Sequence, residues 1–149
     1  MSRRTISITL AVVCLAVLLG ATGLFAISQE TSYMQECASE GFAIDGFYRD
    51  DKAGLETLAF HEEDGCRWQL VNKDGSSVEG QFKRTDDPNI LVLKNENGEI
   101  VGTVHVAYIS RRRDQGLLYL FRDTRAIRFY LVSTGSAFTV ESGDVDADS

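Results

Sequence analysis

Few residues of this chain are of the types that carry out chemistry. His61 is followed by Glu62, Glu63 and Asp64. Carboxylates next to an imidazole raise its pKa or share a cation with it. This cluster lies in turn-forming sequence, where charged side chains face water. An enzyme built on His61 and the adjacent carboxylates is therefore the third of three readings. His105 stands on a long strand with no acid–base partner apparent in sequence, and a general acid or base needs one within hydrogen-bond reach. Asp144, Asp146 and Asp148 alternate like the opening of a calcium loop, but the glycine at its sixth position and the closing glutamate are missing. Ser110, Ser133 and Ser136 sit at strand ends, and no nucleophile elbow, His-Glu-x-x-His pair or phosphate-cradling glycine loop occurs. The expectation is a non-enzymatic protein with no cofactor and no metal ion.

Two further groups have chemical character. Cys37 and Cys66 lie beyond the first apolar stretch. An even number of cysteines in an oxidising compartment predicts one disulfide, which would stabilise the fold by about 3–4 kcal/mol in the chain-entropy picture. Cys14 lies within the apolar stretch and reads as one more apolar residue. Arg111, Arg112 and Arg113 form the one basic clump. They are candidates for contact with anionic headgroups, or guards of an exposed hairpin against edge pairing.

The chain carries 15 basic and 22 acidic residues. Without Arg3 and Arg4 the remainder stands at 13 − 22 = −9. That sign excludes nucleic acid as an expected partner, since phosphates would be repelled.

The elements that must position these residues begin with an uncharged run from Ile6 to Ile27, preceded by Arg3 and Arg4. Positive charge stays on the cytoplasmic side, so the rest of the chain is expected outside the membrane. Leu10 to Leu19 suits the core of a signal peptide, with Ala26-Ile27-Ser28 as a small-x-small site. Ile6 to Ile27 is also long enough for a retained anchor, which would make the membrane a partner. Both readings stay open. The sequence then divides into residues 1–28 as signal peptide or anchor, 29–41 as linker, 42–141 as a β-rich domain and 142–149 as an acidic tail.

From Phe42 onward the hydrophobic pattern has period two. Strands are predicted at Phe42–Tyr48, Leu55–His61, Cys66–Val71, Ser77–Lys83, Ile90–Lys94, Glu99–Ser110, Leu117–Arg122, Ala126–Val132 and Ser136–Glu141. Asp-Gly and Asn-Gly pairs mark hairpins between several of them. A short helical turn is predicted over Tyr33–Ala38. The fold class is all-β: an antiparallel meander closing into a small barrel or rolled sandwich, preceded by one N-terminal hydrophobic helix. In such a meander the loops after the second, fourth and sixth strands share the end from which the first strand emerges. Alternation places Trp68, Leu70, Val78, Phe82, Ile100, Val104, Val106 and Tyr108 on core faces. Trp68, Phe82, Tyr108 and Tyr119 are candidates to line a cavity or core. Leu117–Phe121 is apolar on both faces, which marks a covered strand or a contact with another protein. An apolar-x-Gly-x-apolar element occurs around Gly46, Gly80 and Gly102, where a glycine inside a strand marks a bend or close approach.

Gly46-Phe47-Tyr48 followed by a meander of tight hairpins resembles the lipocalin-type small barrels of exported bacterial proteins. In that family a Gly-x-Trp opens the first strand, and its aromatic closes the barrel floor, often beneath an arginine from a late strand. Gly46 matches, Tyr48 stands in the tryptophan position, and Arg122 or Arg128 would supply the arginine. The likeness spans about Phe42 to Val132. It implies a barrel with a small apolar cavity, although the domain is short for one that holds a ligand. Together these readings point to a cell-envelope module that binds a small apolar molecule or a protein, or else to an accessory subunit using Leu117–Phe121.

Overall fold

The computed structural model describes residues 22, 26–51, 55–63 and 65–135. The chain divides into two compact units, Met1–Cys37 and Ala38–Ser149. A helix, α1, covers residues 26–40, well beyond the turn expected at Tyr33–Ala38. Gln29, Glu30, Met34, Gln35 and Glu36 favour helix. The Thr31 and Ser32 hydroxyls donate to the carbonyls of Ile27 and Ser28 at 2.9 and 3.0 Å, so they sit within the helix without breaking it. No helix among the described residues is long and apolar enough to cross a membrane. The predicted export run falls almost wholly outside the described residues.

The second unit contains eight strands: β1 Gly46–Asp50, β2 Thr57–His61, β3 Arg67–Val71, β4 Ser77–Arg84, β5 Ile90–Asn95, β6 Ile100–Ile109, β7 Gly116–Arg122 and β8 Arg125–Ser133. Each pairs antiparallel with its sequence neighbour, and β8 returns to β1 through Arg49↔Tyr130 and Asp50↔Phe129, which closes a barrel. Of the two architectures expected, the barrel is the one formed. Closure leaves no unpaired edge among these strands. The predicted ninth strand, Ser136–Glu141, and the acidic tail lie outside the described residues.

The three apolar-x-Gly-x-apolar sites explain how so short a meander closes. A Cβ at Gly46 would stand 2.6 Å from the Ser133 carbonyl oxygen, one at Gly80 2.0 Å from that of Lys94, and one at Gly102 2.7 Å from that of Phe121. Each glycine lets a neighbouring strand approach more closely than a side chain permits. Bulges between Phe47 and Tyr48, Leu93 and Lys94, and Val106 and Tyr108 add bend and twist. The last of these corrects the predicted core. It breaks the alternation along β6, so Ile109 is buried and Tyr108 only half-buried, while Ile100 at the strand's start is 68% exposed.

The β7–β8 hairpin turns on Asp123 and Thr124, with φ of 49° and 64°. Two positive φ values suit the twist of a tight hairpin, but a β-branched residue is strained there. Thr124→Gly is expected to stabilise the domain by about 1 kcal/mol, seen as a higher urea midpoint. A lower midpoint would show that the threonine side chain contributes more than its backbone costs.

Candidate functional site

The barrel interior is occupied by side chains. Tyr48, Phe60, Trp68, Leu70, Leu91, Leu93, Leu118, Leu120 and Phe129 are fully buried. Tyr48, Phe60 and Phe82 form a chain of edge-to-face rings, with centroids 6.0 and 5.4 Å apart. The Trp68 indole N–H donates to the carbonyls of Gln81 and Lys94 at 3.1 and 2.9 Å. Both carbonyls lie beside Gly80, where the missing Cβ gives that of Lys94 its room.

The end of the barrel from which β1 emerges is plugged by residues 41–45. This is why β1 starts at Gly46 and not at Phe42 as the alternation predicted. Phe42 and Ile44 are buried, and the Phe42 ring stands edge-on to Tyr108 at 6.3 Å. The Phe42 N–H donates to Asn89 Oδ1 at 3.0 Å, and that of Ile44 to Glu62 Oε2 at 3.1 Å. Arg84 ties the plug down. It donates to Glu62 Oε1 at 2.6 Å, the Phe42 carbonyl at 2.7 Å and the Pro88 carbonyl at 2.5 Å. The loops after β2, β4 and β6 all meet here, as the meander requires. At the opposite end Arg122 reaches from β7 across the ring of strands to Asn72 Oδ1, at 3.2 and 3.3 Å.

The Gly-x-aromatic pair sits at the plugged end. Tyr48 is fully buried and its hydroxyl donates to the Ile44 carbonyl at 2.8 Å. Neither arginine considered from sequence accompanies it. Arg122 bonds Asn72, and Arg128 bonds Asp51. Arg113, from the β6–β7 loop, is the arginine that acts electrostatically on Tyr48, and its Nη2 donates to the Asp45 carbonyl. Burial raises the Tyr48 phenol well above its ordinary value of 10.0, an effect that Arg113 partly offsets. Below pH about 10 the folded and unfolded chains both hold this proton. Above it the unfolded chain releases the proton and the folded chain keeps it, so stability falls as pH rises. Tyr48→Phe is expected to flatten this alkaline decline, followed by urea midpoints at successive pH values. An unchanged slope would remove Tyr48 as its source.

The other residues picked out by sequence disperse. Trp68 and Phe82 are inside the barrel, Tyr108 lies against the plug, and Tyr119 is on the outer wall. The three-arginine loop divides: Arg113 turns inward, while Arg111 and Arg112 are exposed. Ser110 builds that loop. Its hydroxyl donates to Asp114 Oδ1 at 2.6 Å and accepts from the N–H groups of Asp114 and Gln115. The same hydrogen bond holds the Asp114 carboxyl below the usual range. The expected Cys37–Cys66 bridge is not formed, and no disulfide is present among the described residues. Cys66 sits in the β2–β3 turn at φ 54°, with its thiol directed to the Glu62 carbonyl at 3.8 Å. The Glu62 carboxylate beside His61 is committed to Arg84 and the Ile44 N–H. No group of three or more metal-ligating side chains gathers among the described residues.

Two surface features remain. A cleft of about 450 Å³ over β3–β5 is lined by Arg67, Glu79, Gln81, Lys94, Asn95 and Glu96. Its charges are of both signs and partly satisfy one another, as in the 3.8 Å pair of Arg67 and Glu79. The second feature is the outer wall of β5–β8. Three cross-strand rows run over it: Val92–Thr103–Phe121–Ala126, Ile90–His105–Tyr119–Arg128, and Leu117–Tyr130 continued by Arg49 of β1. The His105 ring stands edge-on to Phe121 at 5.4 Å. Phe121 and Tyr130 are each 43% exposed and Val132 is 54% exposed. The sequence showed the β7 part of this wall through its double apolar pattern. It could not show that His105, Tyr130 and Arg128 lie alongside, because that depends on strand register.

Charge is also unevenly distributed. Residues 100–135 hold six arginines and two aspartates, +4, whereas residues 38–99 hold seven basic and fourteen acidic residues, −7. The outer wall of β5–β8 thus combines tyrosine, phenylalanine and arginine side chains. Comparison with family models, curated proteins and solved structures finds no match for this chain.

Proposed function

We propose that this chain is a non-enzymatic binding module of the cell envelope, exported by or anchored through Ile6–Ile27, which engages a protein partner on the outer wall of β5–β8. The barrel is of lipocalin type in this reading, with its interior given over to packing. The observation that carries the proposal is the contiguous exposed aromatic surface on β6–β8, beside an interior occupied by Trp68, Phe82 and their neighbours. Monomeric soluble domains seldom keep such a patch without a use for it. A closed barrel also has no edge strand to lend, so a partner must dock face-on. The accessory-subunit reading is the same surface in a permanent complex. A small apolar ligand is less well supported, because Trp68, Phe82 and Tyr119 do not line one space.

The triple variant Tyr119→Ala/Phe121→Ala/Tyr130→Ala tests this. Substitutions at exposed Phe121 and Tyr130 change stability by about 0.5 kcal/mol or less each, and at half-buried Tyr119 by about 1 kcal/mol, so the variant is expected to remain folded, as thermal melting checks. In gently solubilised envelopes the parent is expected to migrate on a native gel above its own mass, and the variant at its own mass. A parent that migrates alone, or a complex that survives the triple substitution, would contradict the proposal.

A further inference from the structure

We infer that the partner surface meeting the β5–β8 wall is acidic as well as apolar: a protein segment that presents carboxylates around aliphatic or aromatic side chains. This rests on the binding-module reading and specifies its partner. The apolar rows are framed by arginine. Arg128 lies opposite Tyr119 and Arg49 opposite Tyr130, Arg125 is at the β7–β8 tip, and Arg111 and Arg112 are exposed at the other end of β6–β7. Arg128 is partly neutralised by Asp51. Even so, β5–β8 and their loops, residues 90–135, hold seven basic and four acidic residues, +3, in a chain of net −7, with Arg113 and Arg122 turned away from the wall. All four lysines of the chain (Lys52, Lys73, Lys83 and Lys94) precede β6, and every basic residue from 100 to 135 is arginine. Arginine holds carboxylates in a bidentate fork, which a lysine cannot do. An apolar centre inside a charged rim is the usual layout of a docking surface. A second copy of the chain is a poor occupant, since an isologous contact would bring two positive faces together.

The test uses the full-length protein and a random peptide library displayed on phage. Peptides enriched on the protein are expected to be acidic and to carry aromatic or aliphatic residues. Binding of the synthetic peptides is expected to weaken about tenfold in Arg125→Glu/Arg128→Glu, to weaken with added salt, and to persist in Arg67→Glu/Lys73→Glu, which changes net charge equally on β3 and the β3–β4 turn, outside the wall. Arg125→Gln/Arg128→Gln is the milder pair should the reversal impair folding, checked by thermal melting. Neutral or basic peptides that still require Tyr119 and Tyr130 would overturn the acidic partner while leaving the docking wall standing. Peptides indifferent to Tyr119 and Tyr130 would overturn both. Phosphatidylglycerol vesicles that bind the same arginines more tightly than any peptide would replace a protein partner with a membrane. Peptide binding that appears only after Glu141, Asp144, Asp146 and Asp148 are neutralised would assign the wall to the chain's own carboxyl-terminal residues.

Discussion

Trp68→Ala is expected to destabilise the barrel by about 4 kcal/mol or more, a large share of the total for a domain of this size. Trp68 is completely buried, so its removal leaves an indole-sized void beneath the regularly paired strands β2–β4. It also strips the donor from the carbonyls of Gln81 and Lys94. An acceptor left unsatisfied inside costs about 1–3 kcal/mol beyond the lost packing. Trp68→Phe separates the two effects, since it restores most of the volume but not the N–H. The phenylalanine variant is expected to lose about half as much. Urea denaturation followed by circular dichroism gives both values, because the only tryptophan is the residue removed. A loss below about 1 kcal/mol for the alanine variant would mean the interior is looser than the burial of these residues requires.

Arg84→Leu is the second large effect. Arg84 holds three acceptors that belong to three different segments: Glu62, Phe42 and Pro88. Without it, among the described residues the Glu62 carboxylate keeps the Ile44 N–H as its hydrogen-bond partner. Breaking a buried pair from one side costs about 3–5 kcal/mol. Both side chains here are about a quarter exposed, which reduces the expected loss to about 2–3 kcal/mol. Adding Glu62→Leu should recover part of it, since the stranded charge goes with its partner. If the double variant is less stable by the sum of the two single losses, the pair is not coupled and the plug is held by its apolar side chains alone.

The parts of this molecule that were legible in its sequence are those fixed by local chemistry. Asp74-Gly75 and Asn97-Gly98 announced their hairpins, and Gly75 and Gly98 do take positive φ. Alternation placed Trp68, Leu70, Val104 and Val106 inside. The turn at Asp123-Thr124 has no glycine to mark it and is defined by the pairing of the strands on either side. Residues 42–45 alternate like a strand, yet Phe42 and Ile44 are drawn across the barrel end by Asn89, Glu62 and Arg84. Those partners are distant in sequence, so no local pattern reveals them. In sequence Arg113 reads as one of three adjacent arginines, and its loop turns it toward Asp45 and Tyr48. The proposed docking wall is half legible. Leu117, Tyr119 and Phe121 stood out in the apolar strand, but Tyr130 and His105 join them only through the registers Leu117↔Tyr130 and Tyr119↔His105.

The central claim is that this barrel works through its outer wall and not through its interior. Photo-crosslinking in intact cells addresses it most directly, with a benzophenone side chain placed at Tyr119 in one full-length variant and at Lys73, exposed in the β3–β4 turn and outside this wall, in another. The account predicts one discrete heavier product from position 119 and none of that mass from position 73. The same product from both positions, or none from position 119, would contradict it.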